Sequence, residues 1–144
     1  MTTPTTHAGT AQDLEAAFDR IRARLVDPDF LANKGLANEV GFFVFPYDAA
    51  REDEVRTRTA ELLALSEAGK LPCRIVHRDL WEVFTRICED RRILDRIPGL
   101  EARRGTPALL DRLHKIATPE AFVQAMDYEP HEPGRDVLLI TGVG

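Results

Sequence analysis

Three short apolar segments constrain the fold of this chain more than any other feature of its sequence. They are Phe42–Phe45, Cys73–His77 and Val137–Ile140, and segments with a helical pattern separate them. Each has the length and the β-branched or aromatic content of a buried strand. Because strands that alternate with helices usually pair in parallel, the sequence predicts an α/β fold with a small, mostly parallel sheet of about three strands and amphipathic helices on its faces.

The helical segments are marked by apolar stripes and by residues that favour helix ends. Ala11–Val26 has apolar side chains at three- and four-residue spacing. A second stripe runs from Val55 to Ser66, with Gly69 as its expected end. Three later helices are predicted to start at Asp79, Thr106-Pro107 and Thr118-Pro119, and Asp48 is a further candidate cap. Pro98-Gly99 is expected to end a helix, and Tyr128–Gly134 is expected to be a loop.

Length and composition predict one α/β domain over residues 11–144, after a flexible segment at residues 1–10. The sequence has no apolar run long enough for a membrane span and no signal-peptide pattern, so we expect a cytoplasmic protein with no membrane partner. Cys73 and Cys88 are expected to be small buried apolar residues.

The charge is unevenly distributed along the chain. The net charge is −5, yet residues 70–115 contain 11 basic and 7 acidic groups, while residues 116–144 contain 1 and 5. A basic middle segment in an acidic chain favours a protein partner over a nucleic acid. Arg91-Arg92 and Arg103-Arg104, on either side of Pro98-Gly99, are therefore candidate partner-binding residues.

A polar block directly precedes the first apolar segment. It contains the remaining partner-binding candidates, Asn33, Lys34, Gly35, Asn38 and Glu39. Each of them also has an ordinary structural interpretation, as a turn residue, a helix end or one half of an ion pair. Both interpretations stay open for this block.

No catalytic, cofactor or metal site is predicted. The histidines lack a second ligand at metal-binding spacing, and His77 is interpreted as the end of a strand. The segment "VLLITGVG" begins like a dinucleotide site, but a glycine turn at the end of a strand is the favoured interpretation. Gly35, Gly142 and Gly144 are thus expected to be structural glycines; Trp81 and Tyr47 are expected at the edge of the core, with base stacking as the alternative.

Four motifs in collinear order resemble one protein family. They are "NKGLANEVGFFVFPYD", "EDEVR", "RDLWEVFTRICEDRRILDRIPGLEARRG" and the terminal "DVLLITGVG". Together they resemble the BrxB family of BREX bacteriophage-exclusion systems, formerly a family of unknown function. Because that family continues beyond "TGVG", the resemblance implies that this chain is C-terminally truncated.

The resemblance implies a non-enzymatic adapter in an antiviral defence complex. The implied partners are a PglZ-type phosphatase-like protein, an adenine DNA methyltransferase and an ATPase. It leaves a homo-oligomer open and does not imply direct DNA contact. The alternative is a nucleotide- or nucleic-acid-binding module of the same system, using the polar block, the "TGVG" turn and the arginines between 91 and 104.

Overall fold

The computed structural model describes residues 11–32 and 43–143 as a mixture of helices and one small sheet. The helices are α1 (Ala11–Val26), α2 (Pro28–Leu31), α3 (Glu52–Glu67), α4 (Leu80–Asp90), α5 (Ile97–Arg104), α6 (Thr106–Ile116) and α7 (Pro119–Met126), with 3₁₀ turns at Ala49–Arg51 and Leu94–Arg96. The strands are β1 (Arg74–Asp79) and β2 (Asp136–Thr141), which pair in parallel. The predicted α/β class is confirmed.

The predicted number of strands was too high. Phe42 lies outside the described residues, and residues 43–46 form no strand, with only an isolated bridge at Tyr47. Phe43 is 44% exposed and Val44 65% exposed, whereas Phe45 packs against buried side chains. An unbroken apolar run therefore does not require cover on both faces. Within the described residues the sheet has two strands.

Several helix ends follow the local signals in the sequence. Helix α1 has the predicted bounds. Helix α3 ends with Gly69 at φ 69°, and the amides of Gly69 and Lys70 donate to the carbonyls of Ser66 and Leu65, which is a Schellman motif. The Asp48 carboxylate accepts from the Ala50 amide and begins the first 3₁₀ turn, as predicted.

Two other predicted helix boundaries were wrong. Pro98-Gly99 does not end a helix, because Pro98 occupies the first turn of α5, where its missing amide leaves no carbonyl unpaired. Thr106 is not a cap: Gly105 precedes α6, and the Thr106 hydroxyl donates to Glu101 Oε1 at 2.9 Å. The equivalent Thr118 does cap α7, by accepting from the Ala121 amide.

The chain divides into two compact units, and each is described separately. Unit 1 comprises Met1–Val76 and Glu132–Val137, and unit 2 comprises His77–His131 and Leu138–Gly144. The boundary falls within both strands, so each unit contains part of β1 and part of β2. The expected single domain over residues 11–144 stays a prediction, and residues 1–10 lie outside the described residues.

Unit 1 has a continuous apolar core between α1, α3 and the start of β1. Its buried members are Leu14, Phe18, Leu25, Val55, Leu62 and Cys73. The rings of Phe18 and Phe45 meet edge to face with centroids 5.3 Å apart, and Phe45 stacks on Tyr47. The Ser66 hydroxyl accepts from the Ile75 amide at 2.9 Å, so it joins α3 to β1.

A second polar contact fixes the strand pairing in unit 1. The Arg74 guanidinium donates to both carboxylate oxygens of Asp136, at 2.8 and 2.7 Å, and the Asp136 side chain is 7% exposed. Asp136 Oδ2 also accepts from the Glu132 amide at 2.8 Å. Because Arg74 begins β1 and Asp136 begins β2, this charge-assisted pair sets the register of the two strands.

Unit 2 is built from α4–α7 and the ends of both strands. Helix α4 packs against α7, and α5 packs against α6. The buried side chains are Val83, Ile87, Cys88, Ile93 and Leu109.

Both cysteines are free and buried, as predicted, and burial raises the pKa of each thiol. Trp81 contradicts its predicted place at the edge of the core, since it is 70% exposed and contacts the ring of Phe84. Its position in the first turn of α4 points it away from the buried stripe formed by Val83 and Ile87. Tyr47 in unit 1 is partly buried, as expected, and its hydroxyl donates to Glu52, which together with burial raises the pKa of Tyr47 to about 12.

Candidate functional site

Unit 2 carries a set of arginines that form no ion pair within the described part of the chain. They are Arg86, Arg91, Arg92, Arg96, Arg103, Arg104 and Arg112, and all are exposed. We refer to them as the unpaired arginines of unit 2. The four arginines selected from the sequence belong to this set. Exposed guanidinium groups without a carboxylate partner are available to bind anionic groups of another molecule.

Arg92 occupies an unusual backbone position at the end of α4. Its φ is 55°, in the left-handed region that favours glycine. The amides of Arg92 and Ile93 donate to the carbonyls of Glu89 and Cys88, so the helix ends in the same Schellman motif as α3. Glycine would fit this position at a lower conformational cost, so Arg92 carries a local backbone strain.

The four predicted arginines do not form one cluster. Arg92 lies in a shallow depression with Glu89, Leu94, Asp95 and Arg96. Arg104 lines a different groove, formed by α5 and α6. Arg103 donates to the carbonyl of Gly99, within its own helix, at 3.2 Å. The basic surface therefore has two separate parts, one at the end of α4 and one along α5 and α6.

A polar network lies at the carboxyl ends of the two strands, where α/β proteins usually bind their ligands. His77 Nε2 is 2.8 Å from the Thr141 hydroxyl oxygen, and that hydroxyl donates to Asp79 Oδ2 at 3.3 Å. Asp79 Oδ1 accepts from the amides of Trp81 and Glu82 and caps α4, as predicted. All three members of the network are partly buried.

The sequence did not reveal this network, because His77 and Thr141 are 64 positions apart. His77 lies in β1, but the strand continues two residues beyond the predicted end, to Asp79. Only the parallel pairing of the strands brings His77 to Thr141. The one available signal was that both residues stand near the ends of predicted strands.

The direction of one bond in the network depends on the tautomer of His77. At 2.8 Å from the Thr141 oxygen, Nε2 donates if it carries the ring proton and accepts from the threonine hydroxyl if it does not. The arrangement holds the ends of β1 and β2 together and supports the cap of α4.

The first glycine of the "TGVG" segment, Gly142, has a structural role. Its φ is 72°, and a Cβ at this position would be 2.8 Å from Asp79 Oδ1. The Asp79 carboxylate therefore occupies the space that a pyrophosphate would need near this turn, and it already accepts from the first amides of α4. The geometry favours the glycine turn over the dinucleotide interpretation.

The remaining candidates lie outside the described residues; they are Asn33, Lys34, Gly35, Asn38, Glu39 and Gly144. Among the residues that are described, no three histidine, cysteine or acidic side chains are grouped so that they could hold a metal ion. None of the described helices combines the length and the apolar character needed to cross a membrane.

Fold and site together define a small α/β protein with a polar network at the carboxyl ends of its strands and a set of exposed, unpaired arginines. Comparison with known proteins gives its family. The chain is 30% identical over 132 residues to the BREX protein BrxB of Bacillus cereus (strain H3081.97), covering 88% of this chain and 67% of that protein. It is 26% identical over 132 residues to the BREX protein BrxB of Escherichia coli O9:H4 (strain HS), covering 91% of this chain and 64% of that one.

The chain belongs to the BrxB family of BREX proteins, and the resemblance found in the sequence is confirmed. It spans about two thirds of the length of these relatives. No family model matches the chain, and no solved structure matches it.

Proposed function

We propose that this chain is a non-enzymatic adapter of a BREX phage-defence complex, which binds other BREX components through the unpaired arginines of unit 2. The observation that carries the proposal is the concentration of seven exposed, unpaired arginines between residues 86 and 112. Elsewhere in the described chain five arginines hold a carboxylate, and the exposed ones that do not are the three of α1. Binding a partner with acidic side chains would satisfy the unpaired groups. Membership of the BrxB family supplies the system in which the partner is sought.

The polar network at the strand ends supports an adapter rather than an enzyme. In α/β proteins this edge of the sheet is the usual place for catalytic side chains. Here the side chains of His77, Asp79 and Thr141 satisfy one another and the first amides of α4. Since their hydrogen bonds are used within the fold, they contribute to structure.

A pull-down from cells that carry a complete BREX gene cluster tests the proposal. The tagged chain should retrieve a BREX component, and the PglZ-type phosphatase-like protein is the first partner we expect. A variant with Arg91, Arg92, Arg103 and Arg104 changed to glutamate should lose most of that recovery. A control with half that change in charge converts Arg20 and Arg22, exposed residues of α1, to glutamate and should keep the recovery. Recovery of no BREX component by the unaltered chain would contradict the adapter function.

The second candidate function is nucleic-acid binding, and the same unpaired arginines favour it. Phosphate contacts would show as affinity for a DNA duplex that falls steeply with salt. Fluorescence anisotropy with a labelled duplex at low salt measures this directly. We rank it second because acidic residues such as Glu89, Asp95 and Asp111 lie among the arginines and would repel a phosphate backbone.

A further inference from the structure

Helices α5 and α6 form a groove that joins apolar and cationic side chains. The α5–α6 groove is lined by Leu100, Arg104, Ala108, Leu109, Asp111, Arg112 and Lys115. Its volume is about 210 Å³. This is below the range of about 300–1,000 Å³ that is usual for small-molecule sites. The groove has room for one or two side chains of a partner.

The lining residues follow the helical repeat. On α5, Leu100 and Arg104 are four positions apart and lie on one face. On α6, Ala108, Arg112 and Lys115 are spaced by four and three positions and form a second stripe. The buried Leu109 lies at the floor between these stripes. Each helix thus contributes one row of lining residues to the groove.

The cationic groups at the rim differ in how they are satisfied. Arg104 and Arg112 form no ion pair with any described residue. Lys115 is 3.0 Å from Asp111, but both side chains are at least two-thirds exposed, at 75% and 69%. Such a pair is weak and can exchange partners at little cost. The groove therefore offers two or three cations beside an apolar floor.

We propose that the α5–α6 groove binds an acidic amphipathic helix of a partner protein; this specifies the surface and ligand chemistry of the proposed adapter function and rests on it. An apolar side chain of the partner packs over Leu100 and Leu109. Carboxylates on the same helix bind Arg104 and Arg112, whose planar guanidinium groups match a carboxylate with two hydrogen bonds. The groove is therefore complementary in charge to an acidic helix.

The lining of the groove favours a protein over a nucleic acid. A phosphate backbone gains nothing from the leucine floor, whereas an amphipathic helix buries apolar area there. The Asp111 carboxylate in the wall repels phosphate more than it disturbs a helix that can place a neutral side chain beside it.

The test uses a defined peptide and the full chain. The probe is a fluorescent helical peptide of about 16 residues, between four and five turns, with leucines on one face and glutamates flanking them. Its matched control has glutamine in place of every glutamate. The glutamate peptide should bind, and the double variant R104E/R112E should weaken binding by about tenfold, the effect expected for the loss and reversal of two exposed ion pairs.

Two variants control for charge and for folding. R20E/R22E makes the same change in net charge on α1 of unit 1 and should bind the peptide like the unaltered chain. R104K/R112K keeps both charges and should bind with an intermediate affinity, because lysine lacks the two-pronged donor geometry. Each variant is compared only if its thermal midpoint matches that of the unaltered chain.

Each remaining outcome contradicts the groove proposal. No binding of the glutamate peptide, equal binding of the glutamine peptide, or equal weakening by R20E/R22E would do so. Binding of a DNA duplex that R104E/R112E abolishes, without peptide binding, would assign the groove to nucleic acid instead. If R104E/R112E still retrieves BREX components in the pull-down, the groove assignment fails while the adapter function stands.

Discussion

The two units of the chain differ in how many of their arginines pair with a carboxylate. In unit 1 five do so within 4 Å, and three on α1 have no such partner among the described residues; the paired ones are Arg51, Arg56, Arg58, Arg74 and Arg135, and the others are Arg20, Arg22 and Arg24. In unit 2, seven exposed arginines have no such partner among the described residues, and Lys115 is paired with Asp111. Because most of the pairs in unit 1 are exposed and worth less than about 1 kcal/mol each, the contrast says little about stability. It says which charges are free for a partner.

The ends of α3 and α4 repeat the comparison at the level of one residue. Both helices end in a Schellman motif with the same two hydrogen bonds. Unit 1 places Gly69 at the left-handed position, and unit 2 places Arg92 there. Unit 1 follows the conformational preference, and unit 2 departs from it while keeping a charged side chain on the surface. Arg92 thus carries a backbone cost that Gly69 avoids.

The largest loss of stability is expected from truncating a core side chain in unit 1. Leu14 is 1% exposed within the apolar core, so Leu14→Ala should lower the free energy of unfolding by about 3 kcal/mol. Leu110→Ala removes the same atoms from a side chain in unit 2 that is 49% exposed, and it should cost less than about 1 kcal/mol. Urea unfolding of both variants measures the difference. Equal losses would contradict the assignment of the core.

The next test compares one carboxylate in each unit. Asp136→Asn weakens the two bonds from Arg74 in unit 1 and should cost about 2 kcal/mol, since a charge-assisted pair at a 7%-exposed side chain is lost. Asp111→Asn in unit 2 removes an exposed partner of Lys115 and should change stability by less than about 0.5 kcal/mol. Denaturant midpoints at constant ionic strength give both values. A loss for Asp111→Asn as large as that for Asp136→Asn would remove the distinction between the units.

Two glycine substitutions separate the free-energy cost of a left-handed backbone from the cost of a steric clash. Gly69 and Gly142 have nearly the same positive φ, but only Gly142 has an atom in the way of a Cβ, Asp79 Oδ1 at 2.8 Å. Gly69→Ala should cost about 1 kcal/mol from φ alone. Gly142→Ala should cost about 1 kcal/mol more, because Asp79 must move and its cap of α4 weakens. Equal thermal shifts for the two variants would show that Asp79 is not fixed in place.

The smallest effect is expected to be a gain in stability. Arg92→Gly relieves the left-handed backbone and should stabilise the chain by about 0.5 kcal/mol, while it removes a candidate partner-binding side chain. The expected combination is a slightly higher thermal midpoint and weaker recovery of BREX components. Arg91→Gly, at a right-handed position, should lower the midpoint instead. A gain in stability with unchanged recovery would assign Arg92 no binding role.

The sequence predicted local features well and distant ones poorly. Helix α1, Gly69 and Asp79 were predictable because each depends on side chains within a few positions. Pro98-Gly99 was misread because the same pair can end one helix or begin the next, and neighbouring helices decide which. The strand at Phe42–Phe45 was misread because apolar composition does not reveal which side chains are covered.

The candidate site was predictable in composition and not in arrangement. The arginines of unit 2 were visible as a basic stretch. Whether each of them has a carboxylate partner depends on which side chains the fold brings near it. The α5–α6 groove needs the packing of two helices, and the contact of His77 with Thr141 needs the register of β1 and β2. The polar block at residues 33–39 stays a prediction, since it lies outside the described residues.

The parallel pairing of β1 with β2 also sets an order of events during synthesis. The Arg74–Asp136 contact joins residues 62 positions apart, and both units draw a segment from beyond residue 131. Closing so long a loop costs little more stability than closing a shorter one, yet it delays the step until the distant strand exists. Helices α1 and α3 can therefore emerge from the ribosome long before the strand that completes their unit. Until β2 is synthesised, β1 is an open edge that a chaperone or another nascent chain can reach.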